Sequence, residues 1–303
     1  MSIPLLSARR GAGLTLPGGI PPSGTIAPVL KVGPYELFAI ESGRFALDGG
    51  AMFGIVPRPL WERSSPPDAQ GRIELALRLL LIRGRGRTWL VDTGIGDKFD
   101  PKSNAIYRIE GALLPDAALK AAGFDPGDVT DVILTHLHFD HAGGTTRADG
   151  SLVFPRARHY VQRVQWEWAQ RPSMKDRGSY RTEDFRALAG QVAMLEGRGD
   201  LAPGIEVLPV DGHTPAMQLP RVSGDGKSVL YCADLVPTVA HLRAPWIMAY
   251  DNEPMKTAAE KVALLGRAAQ EGWILFLEHD PRYAAARVRR SAKDFELQEE
   301  VRF

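Results

Sequence analysis

The run Val132-Ile133-Leu134-Thr135-His136-Leu137-His138-Phe139-Asp140-His141-Ala142-Gly143-Gly144 concentrates more chemistry than any other part of this chain. Its first three residues are apolar and read as the end of a buried strand. His136, His138, Asp140 and His141 then follow within six positions. The chain has seven histidines and three of them stand here, which is hard to ascribe to packing. Histidine is the commonest metal ligand, and zinc takes imidazole and carboxylate together. Residues two apart in an extended segment point the same way, so His136 and His138 can grip one metal. Asp140 and His141, one step further, can reach a second. Gly143 and Gly144 suit a tight turn or a close backbone approach.

Partners for such a cluster occur downstream. His213 lies in Asp-Gly-His-Thr-Pro, Asp234 ends the apolar run Val229–Ala233, and His279 follows Trp273-Ile274-Leu275-Phe276-Leu277-Glu278. Each sits just past a candidate strand, where a rigid scaffold would hold it.

The pattern His136-X-His138-X-Asp140-His141, then His213, Asp234 and His279, resembles the metallo-β-lactamase superfamily over residues 35 to 285 or so. The resemblance implies an α/β fold, an αββα sandwich with metals at the rim between two sheets. It also implies a ligand set. His136, His138 and His213 would hold one metal, and Asp140, His141 and His279 the other. Asp234 would bridge them, and a bridging hydroxide would be the nucleophile. All donors are N or O, which suits two Zn²⁺ ions and leaves Fe, Mn or Co open. Metal coordination can lower the pKa of water to about 7, so hydroxide is available at neutral pH. Asp140 additionally stands as a residue to orient that nucleophile or pass on its proton.

Within the superfamily, the bridging Asp234 argues against the binuclear β-lactamases. The short stretch after His279 argues against a glyoxalase II, and the lack of a basic surface argues against RNase Z. A persulfide dioxygenase would not need the second ligand set. The lactonase-like branch remains, including quorum-quenching acyl-homoserine lactonases and the methyl parathion hydrolase type. The expected reaction is opening of an ester bond, foremost a lactone, with organophosphate or aryl ester hydrolysis as the alternative. A non-catalytic metal-binding module is a further reading that the complete ligand set disfavours. Some acyl-homoserine lactonases carry a tyrosine three residues past the bridging aspartate, where this chain has Pro237. An equivalent proton donor would have to be His241 or Tyr250. Relatives often read His-Thr-Pro-Gly-His after the strand that delivers His213; here the sequence is His213-Thr214-Pro215-Ala216-Met217. In relatives the Asp-Thr-Gly at 92–94 sits behind the metal loop, which makes Asp92 a candidate to hold a ligand imidazole. Asp280 is a second such candidate.

Composition bounds the rest. The chain has 303 residues, 44% hydrophobic and 24% charged, ordinary for a globular protein. A net charge of +1 offers no global case for nucleic acid or membrane as partner. A single cysteine, Cys232, excludes an internal disulfide and fits a buried structural thiol. The N-terminus shows no signal peptide, so a cytoplasmic location is expected. Residues 1–34, rich in Gly and Pro, read as a loosely attached arm or one that drapes over a second subunit of a homodimer. Residues 35–303 read as the catalytic domain.

Within it, residues 43–63 read as a long loop whose Phe45, Met52, Phe53, Ile55, Val56, Leu60 and Trp61 need burial. Some of them are expected to wall the site for a small-molecule ester or lactone with an apolar portion. Helices are expected at 115–122, 165–170, 182–195 and 257–271, and mostly helical sequence over 282–303. The segment between 170 and 182 reads as an irregular surface insert. His159 is expected to be an ordinary strand histidine.

Overall fold

A computed structural model describes residues 29–303. The arm expected over 1–34 lies outside the described residues up to 28. The part that is described differs from that expectation, because Leu30–Val32 (β1) is already a strand. It pairs antiparallel with β2 and buries Val32, an apolar anchor that the surrounding glycines and prolines mask.

The first sheet continues through β2 (Tyr35–Asp48), β3 (Arg72–Gly84), β4 (Arg87–Val91), β5 (Asp131–Ile133), β6 (Arg158–Gln162) and β7 (Ala193–Leu195), paired in that order. The second contains β8 (Gly199–Ala202), β9 (Ile205–Val210), β10 (Met217–Gly224), β11 (Lys227–Tyr231), β12 (Ile274–Phe276), β13 (Ala285–Arg290) and β14 (Phe295–Val301), again in chain order.

Strand β3 shows why two sheets stack. Its apolar run is buried on both faces, as expected for a strand covered on both sides. Leu80 and Ile82 pack with Val207, Leu219 and Leu230 of the opposite sheet. Leu79 and Leu81 face away and pack with Ala118, Leu119 and Ala169 of flanking helices. The helix Pro254–Glu271 packs along β13, giving the helix–sheet–sheet–helix order. No helix among the described residues is long and apolar enough to cross a membrane.

Three expectations change. Residues 43–63 are not one loop: β2 runs on to Asp48, and short helices follow at Gly49–Phe53 and Arg58–Trp61. Asp48 starts the first by accepting from the Ala51 N–H at 2.7 Å. The helix expected at 182–195 stops at Phe185; a single 3₁₀ turn and the edge strand β7 follow, and between them Gly190 takes φ +81°, through which no helix continues. Residues 282–303 form β13 and β14 rather than helix. Their charges pair across strands, Arg287 with Glu299 at 3.0 Å and Arg289 with Glu296 at 2.9 Å. Such pairs stabilise an exposed sheet edge, and a helical reading of charge alternation does not anticipate them.

Topology assembles the rim. β4 and β5 are parallel, as are β11 and β12, and β9 shares their direction through its antiparallel pairing with β10. Asp92, the His136–His141 segment, His213, Asp234 and His279 all follow carboxyl ends of these strands, and so gather at one edge.

Candidate metal centre and active-site cavity

Seven side chains converge there, all buried. In one group, His138 Nδ1 lies 3.1 Å from both His136 Nε2 and His213 Nε2. Asp234 Oδ2 lies 3.2 Å from His213 Nε2 and 4.0 Å from His136 Nε2. In the other, His279 Nε2 lies 3.2 Å from His141 Nε2, and Asp140 Oδ2 lies 3.6 Å from His279 Nε2. Asp234 Oδ1 faces this group, 3.3 Å from His279 Nε2 and 3.5 Å from His141 Nε2. The two oxygens of Asp234 thus divide between the groups.

These distances fit metal ions. Two imidazole nitrogens bound tetrahedrally at 2.0–2.1 Å from one Zn²⁺ sit about 3.3 Å apart. Neutral imidazoles that aim lone pairs at each other over 3.1 Å repel unless a cation lies between them. Asp234 Oδ1, which faces the second group, is buried without a hydrogen-bond partner among the described residues. Burial, then the neighbouring imidazoles, hold His136 and His138 well below the ordinary histidine range, in the neutral form a ligand needs. Burial alone would lower His213 and His279 too, but adjacent carboxylates, Asp234 among them, outweigh it and lift both to about 9. The carboxylates here call for positive charge.

The outer ring nitrogens of the other four histidines are held, which fixes imidazole orientation, while that of His138, Nε2, has no partner among the described residues. His136 Nδ1 meets Thr135 Oγ1 at 3.0 Å, and His279 Nδ1 meets the Ala76 carbonyl at 2.9 Å. His213 Nδ1 meets Asp251 Oδ1 at 2.8 Å, and His141 Nδ1 meets Asp92 Oδ2 at 3.0 Å. Asp92 therefore takes the position expected of it. It adopts φ +58°, uncommon for a residue with a side chain, and also accepts from Thr135 N–H at 2.7 Å. Gly143 and Gly144 act through close approach. A Cβ would lie 2.3 Å from the Ile95 carbonyl oxygen at Gly143 and 2.1 Å from that of Thr93 at Gly144.

Asp280 does not hold a ligand. Its oxygens accept from the N–H groups of Val239, Arg282 and Tyr283, at 2.8, 2.9 and 2.9 Å, and so organise the loop after His279. Its neighbour Glu278, which sequence reasoning passed over as a strand end, lies 3.0 Å from His141 Nδ1. One ring N–H cannot serve two carboxylates. Asp92 receives it, and burial pushes Glu278 up to about 7. Asp251 was likewise missed, since nothing in Tyr-Asp-Asn marks it as a partner of a histidine 38 residues away.

A cavity of about 260 Å³ opens over the cluster. Leu47, Met52, Leu75, Phe139 and Met248 supply its apolar wall, and Tyr107, Tyr250 and Lys175 its remaining polar rim. The expected role of segment 43–63 is thus carried by Leu47 and Met52, while Phe45, Phe53 and Trp61 are core and Ile55 is 94% exposed. The insert reaches the mouth through Lys175, Gly178 and Ser179. Tyr180 from the same insert sets its ring edge on His138, centroids 4.6 Å apart, and shares a 2.6 Å hydrogen bond with Thr214.

The two proton-donor candidates separate. Tyr250 lines the cavity. His241 does not: Nδ1 bonds Thr238 Oγ1 and Nε2 the Met52 carbonyl, both at 2.8 Å, and its ring stacks on Phe53 at 4.8 Å. Burial lowers it to about 3, so it is a neutral structural histidine. Cys232 is buried, with its Sγ 3.7 Å from the Leu230 carbonyl. His159 is a buried strand residue outside the site, as expected.

Comparison with known proteins agrees with this geometry. Residues 79–279 match the family described as the metallo-beta-lactamase superfamily. A probable metallo-hydrolase of Mycobacterium bovis is 24% identical over 240 residues, 69% of this chain and 76% of that protein. An N-acyl homoserine lactonase of a Bacillus species is 31% identical over 195 residues, 60% of this chain and 68% of the lactonase. The crystal structure of a probable metal-dependent hydrolase from Staphylococcus aureus superposes with a TM-score of 0.83 at 27% identity, covering 90% of this chain and all of that one. The chain belongs to the metallo-beta-lactamase superfamily of hydrolases, on its lactonase-like branch.

Proposed function

We propose that the protein is a binuclear metal-dependent hydrolase of ester bonds whose preferred substrate is a lactone with an apolar acyl portion. The observation that carries this reading is the division of Asp234 between two imidazole groups at the floor of an apolar cavity. His136, His138 and His213 would hold one divalent metal, Asp140, His141 and His279 the other, and Asp234 would span both. Metals so held supply Lewis acidity toward the ester oxygens and a water ionised at neutral pH. The all N and O donor set favours zinc.

The protein's own groups do the rest. Leu47, Met52, Leu75 and Met248 take the acyl chain, and the unbranched methionines adapt to its length. Burial, with Asp48 and Asp140 nearby, keeps the Tyr250 phenol protonated above its usual range, so its O–H can donate toward the leaving alkoxide. Asp140, turned toward both His279 and the cavity, can receive the proton that the attacking water loses. The Bacillus relative's activity supports the lactone assignment.

The test is turnover by metal-quantified protein of a long-chain acyl-homoserine lactone, a simple γ-lactone, an aryl ester, paraoxon and a cephalosporin. Fast lactone turnover, abolished by chelator and restored by zinc, is expected. Phosphotriester turnover with weak lactone turnover would move the assignment to organophosphates. Asp234→Asn is expected to lower turnover at least a hundredfold. Full activity with metal still bound would defeat the two-metal mechanism.

A further inference from the structure

The cavity holds polar groups that the metals do not need. Besides Asp140, Asp234 and the histidines, its polar side chains are Tyr107, Tyr250, Lys175 and Ser179. Lys175 commits one of its three N–H bonds, to the Tyr250 carbonyl at 2.7 Å. Tyr107 commits none: its hydroxyl has no hydrogen-bond partner among the described residues.

Tyr107 is also presented with some care. It ends the seven-residue helix Pro101–Tyr107, which buries no residue in the core. That helix is nevertheless anchored. Arg72 donates to the carbonyls of Ala105 and Ile106 at 2.7 and 2.8 Å. Arg108, left-handed at φ +45°, bonds Glu74 at 3.1 Å. The Tyr107 ring packs on Phe139 at 5.1 Å and on Phe99 at 5.6 Å. Phe139 sits between His138 and Asp140, so the ring is placed relative to the ligands themselves. A phenylalanine would satisfy all this packing. The hydroxyl is the one part of Tyr107 that the fold does not use.

We propose that the Tyr107 hydroxyl is a substrate-recognition donor that binds an acceptor, such as an amide carbonyl, on the acyl arm beyond the ester. This deepens the ester-hydrolase reading and rests on it. Tyr107, Tyr250 and Lys175 all offer donors, and the carboxylates in the cavity belong to the metal groups. An ester or lactone whose arm carries a carbonyl acceptor meets a donor at all three, Lys175 as a donor only and the two phenols as donors that can also accept. Burial, then the charge of Asp140, raises Tyr107 above the usual phenol range, so the donor stays protonated.

The test compares wild type with Tyr107→Phe, which keeps the aromatic packing. Two substrates are used, a long-chain N-acyl homoserine lactone and a γ-alkyl lactone of equal length without the amide. A neutral hydrogen bond is worth about 1 kcal/mol, so a loss of about fivefold in kcat/KM is expected on the first substrate, carried by KM, with none on the second. Equal losses on both, or no loss, would overturn the proposal. Calorimetric binding of the ring-opened N-acyl homoserine to metal-loaded protein reads the same contact without turnover. About fivefold weaker binding by Tyr107→Phe supports the proposal; an unchanged Kd, or no binding by wild type, overturns it. Hydrolysis of neither lactone by wild type would instead defeat the ester reading and leave calorimetry to decide for Tyr107.

Discussion

Single residues in this protein adopt conformations and charge states that their surroundings impose. Ala216 has φ +53°, in the loop that carries His213. The turn persists because Ala216 N–H donates to Asp211 Oδ1 at 2.9 Å. The left-handed region costs a residue with a Cβ about 1–2 kcal/mol, part of which glycine loses to unfolded-state entropy. Ala216→Gly is therefore expected to stabilise the protein by about 0.5–1 kcal/mol in urea unfolding. His159 offers a pH test away from the metals. Burial lowers it to about 4, so the native state keeps it neutral while the unfolded state protonates it below about 6.5. Its contribution is intact above pH 6.5 and lost as pH falls toward 4, by up to about 3 kcal/mol. His159→Gln is expected to flatten the stability profile between pH 7 and 5, measured by urea midpoints at both.

At the scale of elements, short segments are held by buried charges. The Gly143–Thr145 turn that follows the ligand motif is pinned by Lys98. Its ammonium bonds the carbonyls of Gly143 and Thr146 and pairs with Asp184 at 3.1 Å. Burial pushes Asp184 up to about 6 even with Lys98 beside it. Lys98→Met leaves that carboxylate only the more distant Arg181, at 4.0 Å, and unpairs two carbonyls, and loss of one partner of a buried pair costs about 3–5 kcal/mol. A drop of that size in unfolding free energy, with weaker metal retention on dialysis, is the expected result. Nothing in Gly-Asp-Lys-Phe announces this role. Lys98 is one cation among 37 lysines and arginines, and its partner is 86 residues away.

The whole molecule depends on two sheets meeting at one rim. Arg78 interrupts the apolar run of β3, and the structure shows why. Its guanidinium crosses to the second sheet and donates to the carbonyls of Leu277 and Asp280 at 2.7 and 3.0 Å, while also pairing with Glu41. It clamps the segment that carries His279. Arg78→Met is expected to cost about 2–4 kcal/mol, for the unpaired carbonyls it leaves. On the two-metal reading proposed above, it should also release one metal more readily than the other, as metal analysis after mild chelation would reveal.

The local motif already contained the candidate ligands. His136, His138 and His141 place three of the chain's seven histidines, with Asp140, in six positions, and His213, Asp234 and His279 each follow a strand-like apolar run. The continuous hydrophobicity of β3 likewise announced a strand covered on both faces. Residues whose roles depend on distant partners were not legible. Glu278, Asp251, Lys98 and Tyr107 stand singly in unremarkable contexts, and what each does is set by a neighbour tens of residues or more away. The helical reading of 282–303 failed for the same reason, because its charges are paired across strands rather than along a helix. Metal ligation is a property of residue type and spacing, which a sequence carries by itself. The partners of the ligands, the donor rim of the cavity and the exclusion of His241 follow from which surfaces face each other, and only the packing of the two sheets decides that.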